Sequence, residues 1–155
     1  MTDEAPTASI WDRRLGAWWI AEDEPDLLAI VSSPSGRRTY GQLIDEVHQL
    51  VHAFRALGLE PGDTLAAMLP NGIEIVELSL ACQEAGWYFT PLNTFLTGGE
   101  LGEILAHSDA KALVVHQQFS PVLDDTAVHA ARGTTAIVAV GEIAGAPRLD
   151  DLRML

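Results

Sequence analysis

Residues 95–101, FLTGGEL, set a Thr beside paired glycines, the residue types that wrap a phosphate. That chemistry needs backbone N–H groups freed by glycine after a strand, and a Lys or hydroxyl to meet the charge or its metal. No Lys follows here, and Glu100 would repel an anion. Thr97 and Glu100 instead have the spacing of a capping box, in which each side chain accepts from the other's backbone N–H at a helix start. Leu96 and Leu101 stand where a hydrophobic staple would close over that start. The same spacing recurs at Thr39 with Gln42 and at Asn71 with Glu74, so three capped helix starts are predicted. RGTTA (132–136) carries part of a phosphate loop, but neither a second Gly nor a Lys follows, and it reads as a helix end running into a strand.

His48 and His52 stand i, i+4, the spacing of two metal ligands on a helix. They fall opposite the apolar face of their helix and no third ligand is placed, so they are expected in solvent. Cys82 lies away from Glu74, Glu77 and Glu84 on its helix and is expected to be a small buried residue rather than a reactive thiol. Asp124 and Asp125 could suggest a carboxylate pair, but neighbours on a helix do not face one another. They are expected to favour a helix's first turn. Trp87, Tyr88 and Phe89 enter a strand and are expected in the core. Asn93 follows that strand at the carboxyl edge, where α/β folds bind ligands, and is read as a turn residue. Lys111, the single lysine, stands at the entrance to a strand.

The elements that must position these residues alternate regularly. Residues 1–8 read as a loose tail and 9–155 as a single α/β domain. Residues 9–21 can form a helix with Trp11, Leu15 and Trp18 at i, i+4, i+7. LLAIVSS (27–33), the turn at 34–36 and RRTY predict a β-hairpin. Residues 39–58 predict an amphipathic helix with Leu43, Val47, Leu50, Phe54 and Leu57 on one face, ended by Gly58 and Pro61. Strands are predicted at 64–69, 87–92, 112–116 and 134–140, and helices at 71–86, about 98–108 and after Ser120-Pro121. Strand and helix alternate from residue 64 onward, which predicts a mostly parallel sheet with flanking helices and right-handed crossovers.

Composition narrows the function classes. The chain has 155 residues, 48% of them apolar, enough for one domain with a real core. Its 22 acidic residues against 9 basic ones, net −13, argue against nucleic acid or an anionic membrane as partner. One cysteine allows no internal disulfide and fits a reducing cytoplasm. No run approaches the roughly 20 apolar residues of a membrane span.

GRRTYGQL, LGLEPGDTLAAMLPNGIE, ACQEAGWYFTPLN and FLTGGELGEILAHSDAKALVV follow one another in an order that resembles the start of the AMP-forming acyl-CoA synthetase (adenylate-forming) superfamily. RTYGQL (38–43) and EAGWYFTPLN (84–93) resemble its first two core motifs. The GLEPGD turn (58–63), LPN (69–71) and PLN (91–93) keep the family's order and spacing. The resemblance covers about residues 10–153. It implies the N-terminal subdomain of an enzyme that activates a carboxylate with ATP to an acyl-adenylate and passes the acyl group to a thiol, usually that of coenzyme A. ATP, Mg and coenzyme A are implied for a complete member. In the family a Ser/Thr/Gly-rich phosphate loop ending in Pro-Lys follows a segment that resembles RLDDLRML (148–155). The motifs for adenine, ribose and metal come later still, as does a C-terminal domain with a catalytic Lys that Lys111 does not match. The resemblance therefore implies no catalytic, cofactor-binding or metal-binding residue within 1–155, and no cofactor for this chain alone.

Helix 71–86 is apolar around most of its circumference, with a narrow polar stripe of Glu74, Glu77 and Glu84. A helix so apolar is normally covered on more than one side. An apolar face near Ile75 and Leu78 is therefore expected to be open to self-association or to the missing remainder of an enzyme. Three readings follow: the N-terminal part of an acyl-CoA synthetase, a binding or regulatory module that docks on a full-length relative, or an inactive folded remnant.

Overall fold

The computed structural model describes residues 16–33, 36–131 and 135–154. The expected amphipathic helix is α2 (Tyr40–Ala56). Thr39 Oγ1 accepts from the Gln42 N–H at 3.3 Å and Gln42 Oε1 accepts from the Thr39 N–H at 3.0 Å, closing the predicted capping box. Leu43, Val47, Leu50 and Phe54 are buried, but Leu57 is 38% exposed. Leu57 is the C-cap, beyond the last turn, so it leaves the apolar face it was expected to share. Ahead of α2 lie α1 (Ala17–Asp23) and an antiparallel hairpin of β1 (Leu28–Ser32) and β2 (Gly36–Thr39). Trp11 and Leu15 of the expected first helix lie outside the described residues.

The remaining strands form one parallel sheet: β3 (Thr64–Met68), β4 (Tyr88–Pro91), β5 (Ala110–His116) and β6 (Ala136–Val140), in the order β4-β3-β5-β6. Side chains alternate across it. Leu65, Ala67, Ala112, Val114 and Val138 share a core with α2, α3 (Ile73–Ala85) and α6 (Leu149–Leu152). Ala66, Met68, Leu113, Val115 and Ile137 share a second core with α4 (Gly98–Ser108), a 3-10 helix Gln117–Asp124, and α5 (Thr126–Ala131). The chain steps from β3 out to β4 over the first face, then back past β3 to β5 over the second. Opposite steps on opposite faces are what a single crossover hand requires.

Four further expectations change. Asn71 does not cap α3: Gly72 takes the N-cap in extended backbone with no side-chain bond, which puts Glu74 at the second helical position instead of the third. No α-helix starts directly after Ser120-Pro121, because Pro121 sits inside the 3-10 helix and α5 begins only at Thr126. Leu78 is fully buried in the first core, so it forms no open apolar face. The reason is that the sheet covers α3 on one side while α2 packs on another, leaving Ile75 half-buried and Val76 37% exposed. Tyr88 is 69% exposed rather than in the core, whereas Trp87 is buried and Phe89 half-buried. Strand β4 is the sheet's edge, and its alternation turns Tyr88 outward.

Candidate functional site

The neighbours β3 and β5 part company at their carboxyl ends. The chain leaves β3 toward the α2–α3 face and leaves β5 toward the α4–α5 face. Diverging exits open a crevice there, the place where open α/β sheets take ligands. It is a cavity of about 270 Å³ lined by Leu69, Pro70, Asn71, Gly72, Glu74, His116, Gln118 and Val140. His116 Nδ1 accepts from the Gln118 N–H at 3.2 Å, which leaves Nε2 to carry the ring proton in the neutral form. The ring meets Phe119 edge-on, with centroids 6.2 Å apart. Next to it, Gln117 Oε1 accepts from the Glu142 N–H at 2.9 Å and ties the loop after β5 to the loop after β6. Gly141 makes room for that amide: its φ is +86°, and a Cβ there would stand 2.3 Å from Gln117 Oε1.

Among the described residues, the lining mixes the apolar Leu69, Pro70 and Val140 with the polar Asn71, Glu74, His116 and Gln118, and includes no Lys or Arg. Asn71, His116 and Gln118 bring donors, and Glu74 brings a carboxylate that complements the start of α3. Such a set can orient an uncharged polar group by hydrogen bonds. It does not match a triphosphate and its metal, which call for Lys, Arg or a nest of N–H groups without a competing carboxylate. Among the described residues no group of three or more His, Cys, Asp or Glu is placed to hold a metal ion.

FLTGGEL is a helix start. Thr97 Oγ1 accepts from the Glu100 N–H at 3.3 Å, and Glu100 Oε2 accepts from the Thr97 N–H at 2.8 Å. That backbone bond and a second from the Thr97 hydroxyl hold the Glu100 carboxyl below its usual range. Leu101 is buried and Leu96 packs against the same core, as a staple would. The glycines do something the spacing did not reveal. A Cβ on Gly98 would lie 2.2 Å from the Asp125 Cβ, and one on Gly102 would lie 2.6 Å from the Ala127 backbone. Gly98 and Gly102 let α4 approach α5, whereas Gly99 faces open space.

The other candidates separate in the same way. Of RGTTA, residues 132–134 lie outside the described residues, and Ala136 opens β6. His48 and His52 are exposed. His48 Nε2 lies 3.4 Å from Glu84 Oε2, which also accepts from the Trp18 indole N–H at 2.9 Å. Cys82 is buried, and burial pushes its thiol up to about 12. Asp125 accepts from the Ala127 N–H at 2.8 Å at the start of α5, while Asp124 ends the 3-10 helix. Asn93 Oδ1 accepts from the Phe95 N–H at 3.0 Å and makes the expected turn. Lys111 pairs with Asp109 at 3.0 Å beside the first residue of β5.

Sequence reasoning missed a charge cluster on the first face. The sequence places Glu77 on a narrow polar stripe with Glu74 and Glu84, yet Glu77 is fully buried. The available signal was its place four residues from both Ile73 and Ala81, in the middle of the buried stripe. Arg153, at the end of α6, donates to Glu77 Oε2, and its Nη1 lies 3.8 Å from Glu46 Oε2. Arg38 Nε donates to both Glu46 oxygens at 2.7 Å. Burial, then the hydrogen bond with Glu46, pushes the Glu77 carboxyl up to about 8 against the pull of Arg153. Burial works to raise Glu46 too, but hydrogen bonds from Glu77 and Arg38 outweigh it and the group ends below its usual range. The same bond to Glu46 raises Arg38.

Comparison with known proteins places this architecture. The model of a family described as AMP-binding enzyme matches residues 17–152. A fatty acid–acyl-carrier-protein ligase from Streptomyces coeruleorubidus is 33% identical over 123 residues, 79% of this chain and 23% of the relative. A feruloyl-CoA synthase from an Amycolatopsis species is 34% identical over 131 residues, 83% of this chain and 26% of the relative. Among solved structures, a fatty acyl CoA synthetase from Mycobacterium tuberculosis superposes with a TM-score of 0.78 at 26% identity, over 89% of this chain and 27% of that one. A benzoate CoA ligase from Burkholderia xenovorans LB400 gives 0.78 at 20% identity, a likeness of fold. The chain spans about a quarter of the length of the relatives it matches.

Proposed function

The chain belongs to the AMP-binding enzyme family, and from that membership we propose that it is the N-terminal portion of an ATP-dependent, AMP-forming acyl-CoA synthetase of the fatty-acid–CoA ligase type. On this reading it precedes the phosphate loop, works in the cytoplasm, and contributes scaffold rather than catalytic, cofactor-binding or metal-binding residues. ATP, Mg and coenzyme A belong to the complete enzyme, not to this portion alone. The observation that carries the reading is the family-model match across residues 17–152, beside relatives named as a fatty acid–acyl-carrier-protein ligase and a feruloyl-CoA synthase whose lengths this chain spans by about a quarter. The partner of this portion is the remainder of the enzyme. Side chains such as Phe95, 91% exposed, and Val31, 64% exposed, are in keeping with further chain covering them. No described helix is long and apolar enough to cross a membrane.

Two measurements test this. The DNA downstream of codon 155 should continue in frame into a Ser/Thr/Gly-rich segment ending in Pro-Lys; unrelated sequence there would overturn the reading. The 155-residue chain, purified free of any full-length ligase, should show no carboxylate-dependent ATP–pyrophosphate exchange above background. Clear exchange would mean that it carries an adenylation site of its own.

A further inference from the structure

We propose that the outer edge of β1 is a docking edge, to which the remainder of the ligase adds a strand. The hairpin stands apart from the four-stranded sheet, and among the described residues β1 pairs with no strand but β2. Its inward side chains are engaged: Ala29 and Ile30 pack on the first core, and Arg38 reaches from β2 to Glu46 on α2. Toward water lie Val31, 64% exposed, Leu28, 48% exposed, and Arg37, which stands opposite Val31 in the pairing. A two-stranded ribbon is marginal by itself, and a third strand is what gives such a sheet independent stability.

The strand edges of the fold are not equivalent. In β4, Tyr88 and Leu92 give their N–H groups to the Asp63 and Ala67 carbonyls at 2.8 Å, so Phe89 and Pro91 face outward. Pro91 has no N–H to offer, which blunts that edge. In β6 the Ala139 N–H already donates to the Pro147 carbonyl at 2.8 Å. Strand β2 carries Arg37 and Arg38 and runs at once into α2, and charge is a common guard of an edge. Strand β1, LAIVS, has neither charge nor proline. Among the described residues, Leu28–Ser32 make no backbone–backbone hydrogen bond outside the hairpin. An unguarded edge of this composition is a template for another strand. The occupant rests on the ligase reading: this chain spans about a quarter of its relatives' length, so most of such an enzyme is left to supply the strand. Main-chain bonds would give the pairing, and Val31 and Leu28 the apolar contact.

Hydrogen exchange, read by mass spectrometry on peptides that contain residues 28–32, compares the 155-residue chain with the complete ligase encoded by the continuing reading frame. The outward amides of β1 should exchange fast in the 155-residue chain and slow by about 100-fold or more in the complete ligase. Peptides of β2 should change less. Val31→Glu sets a carboxylate opposite Arg37, so the urea midpoint of the 155-residue chain should stay within about 0.5 M. In the complete ligase the same variant should lose most of the added protection. Equal exchange of β1 in both chains, protection gained at β2 instead, or protection unmoved by Val31→Glu overturns the docking edge. A Val31→Glu chain that fails to fold shows that Val31 is already covered and overturns it too. Protection in the 155-residue chain that rises with its concentration assigns the edge to a second copy and overturns the remainder as occupant. Unrelated sequence after codon 155 defeats the ligase reading and this occupant together, whereas a continuing frame with an unprotected β1 defeats the docking edge alone.

Discussion

Substituting Ala at Gly98, Gly99 and Gly102 in turn separates a capping role from a packing one. All three lie in the first half of α4, so helix propensity favours Ala at each by up to about 1 kcal/mol. At Gly99 nothing stands within 4 Å of the new Cβ, and that gain should survive. At Gly102 the Cβ would lie 2.6 Å from the Ala127 carbonyl carbon and from its Cβ. Carbon atoms sit comfortably at about 3.5–4.0 Å, so α4 and α5 must part by about 1 Å. Overpacking of this kind costs about 1–3 kcal/mol, which leaves a net loss of about 0.5–2 kcal/mol after the propensity gain. At Gly98 the Cβ would meet Asp125, whose carboxylate caps the Ala127 N–H, so the side chain cannot step aside without losing about 1 kcal/mol of capping. Urea unfolding followed by circular dichroism gives the order. With a slope of about 2 kcal/mol/M, each kcal/mol moves the midpoint by about 0.5 M. Gly99→Ala should unfold at higher urea than the unaltered chain, and Gly98→Ala and Gly102→Ala at lower. A Gly102→Ala variant as stable as Gly99→Ala would refute the close approach of α4 and α5.

Thr97→Ala should cost about 1 kcal/mol in the same assay without altering any nucleotide affinity measured by calorimetry. Because Glu100 titrates below its usual range, the box stabilises above the ordinary carboxylate pKa and is lost as pH falls through the lowered one, so the difference from the unaltered chain should shrink in acid. Leu78→Asp should unfold the domain rather than merely alter its association state, since it sets a charge in a fully buried position; a folded variant in circular dichroism would show that α3 has an open face there. Cys82 should react with a thiol reagent at pH 8 only as fast as the chain opens, because its thiol is buried and stays protonated. Labelling at the rate of a free thiol would contradict that burial.

What was legible in the residues was local. The Thr97–Glu100 and Thr39–Gln42 boxes closed as spaced because both partners sit within one turn of chain and need nothing else. The alternation of strands and helices after residue 64 was likewise written in periodicity, and periodicity reports which face is buried, not against what. The third box shows the margin: one residue of Gly72 backbone moved the cap and took Asn71 out of it. The crevice was beyond reach because it exists only where β3 and β5 lie side by side with exits to opposite faces, and strand order is set by the hand and sequence of the crossovers. Glu77 is the plainest case. Its neighbours along α3 suggest a polar stripe, but α2 and α6 come from distant parts of the chain to cover it, with Arg153, 76 residues on, as its partner. Gly98 and Gly102 were likewise visible as letters and explicable only after α5 had come to lie against them, because a missing Cβ has meaning only when there is an atom waiting in its place.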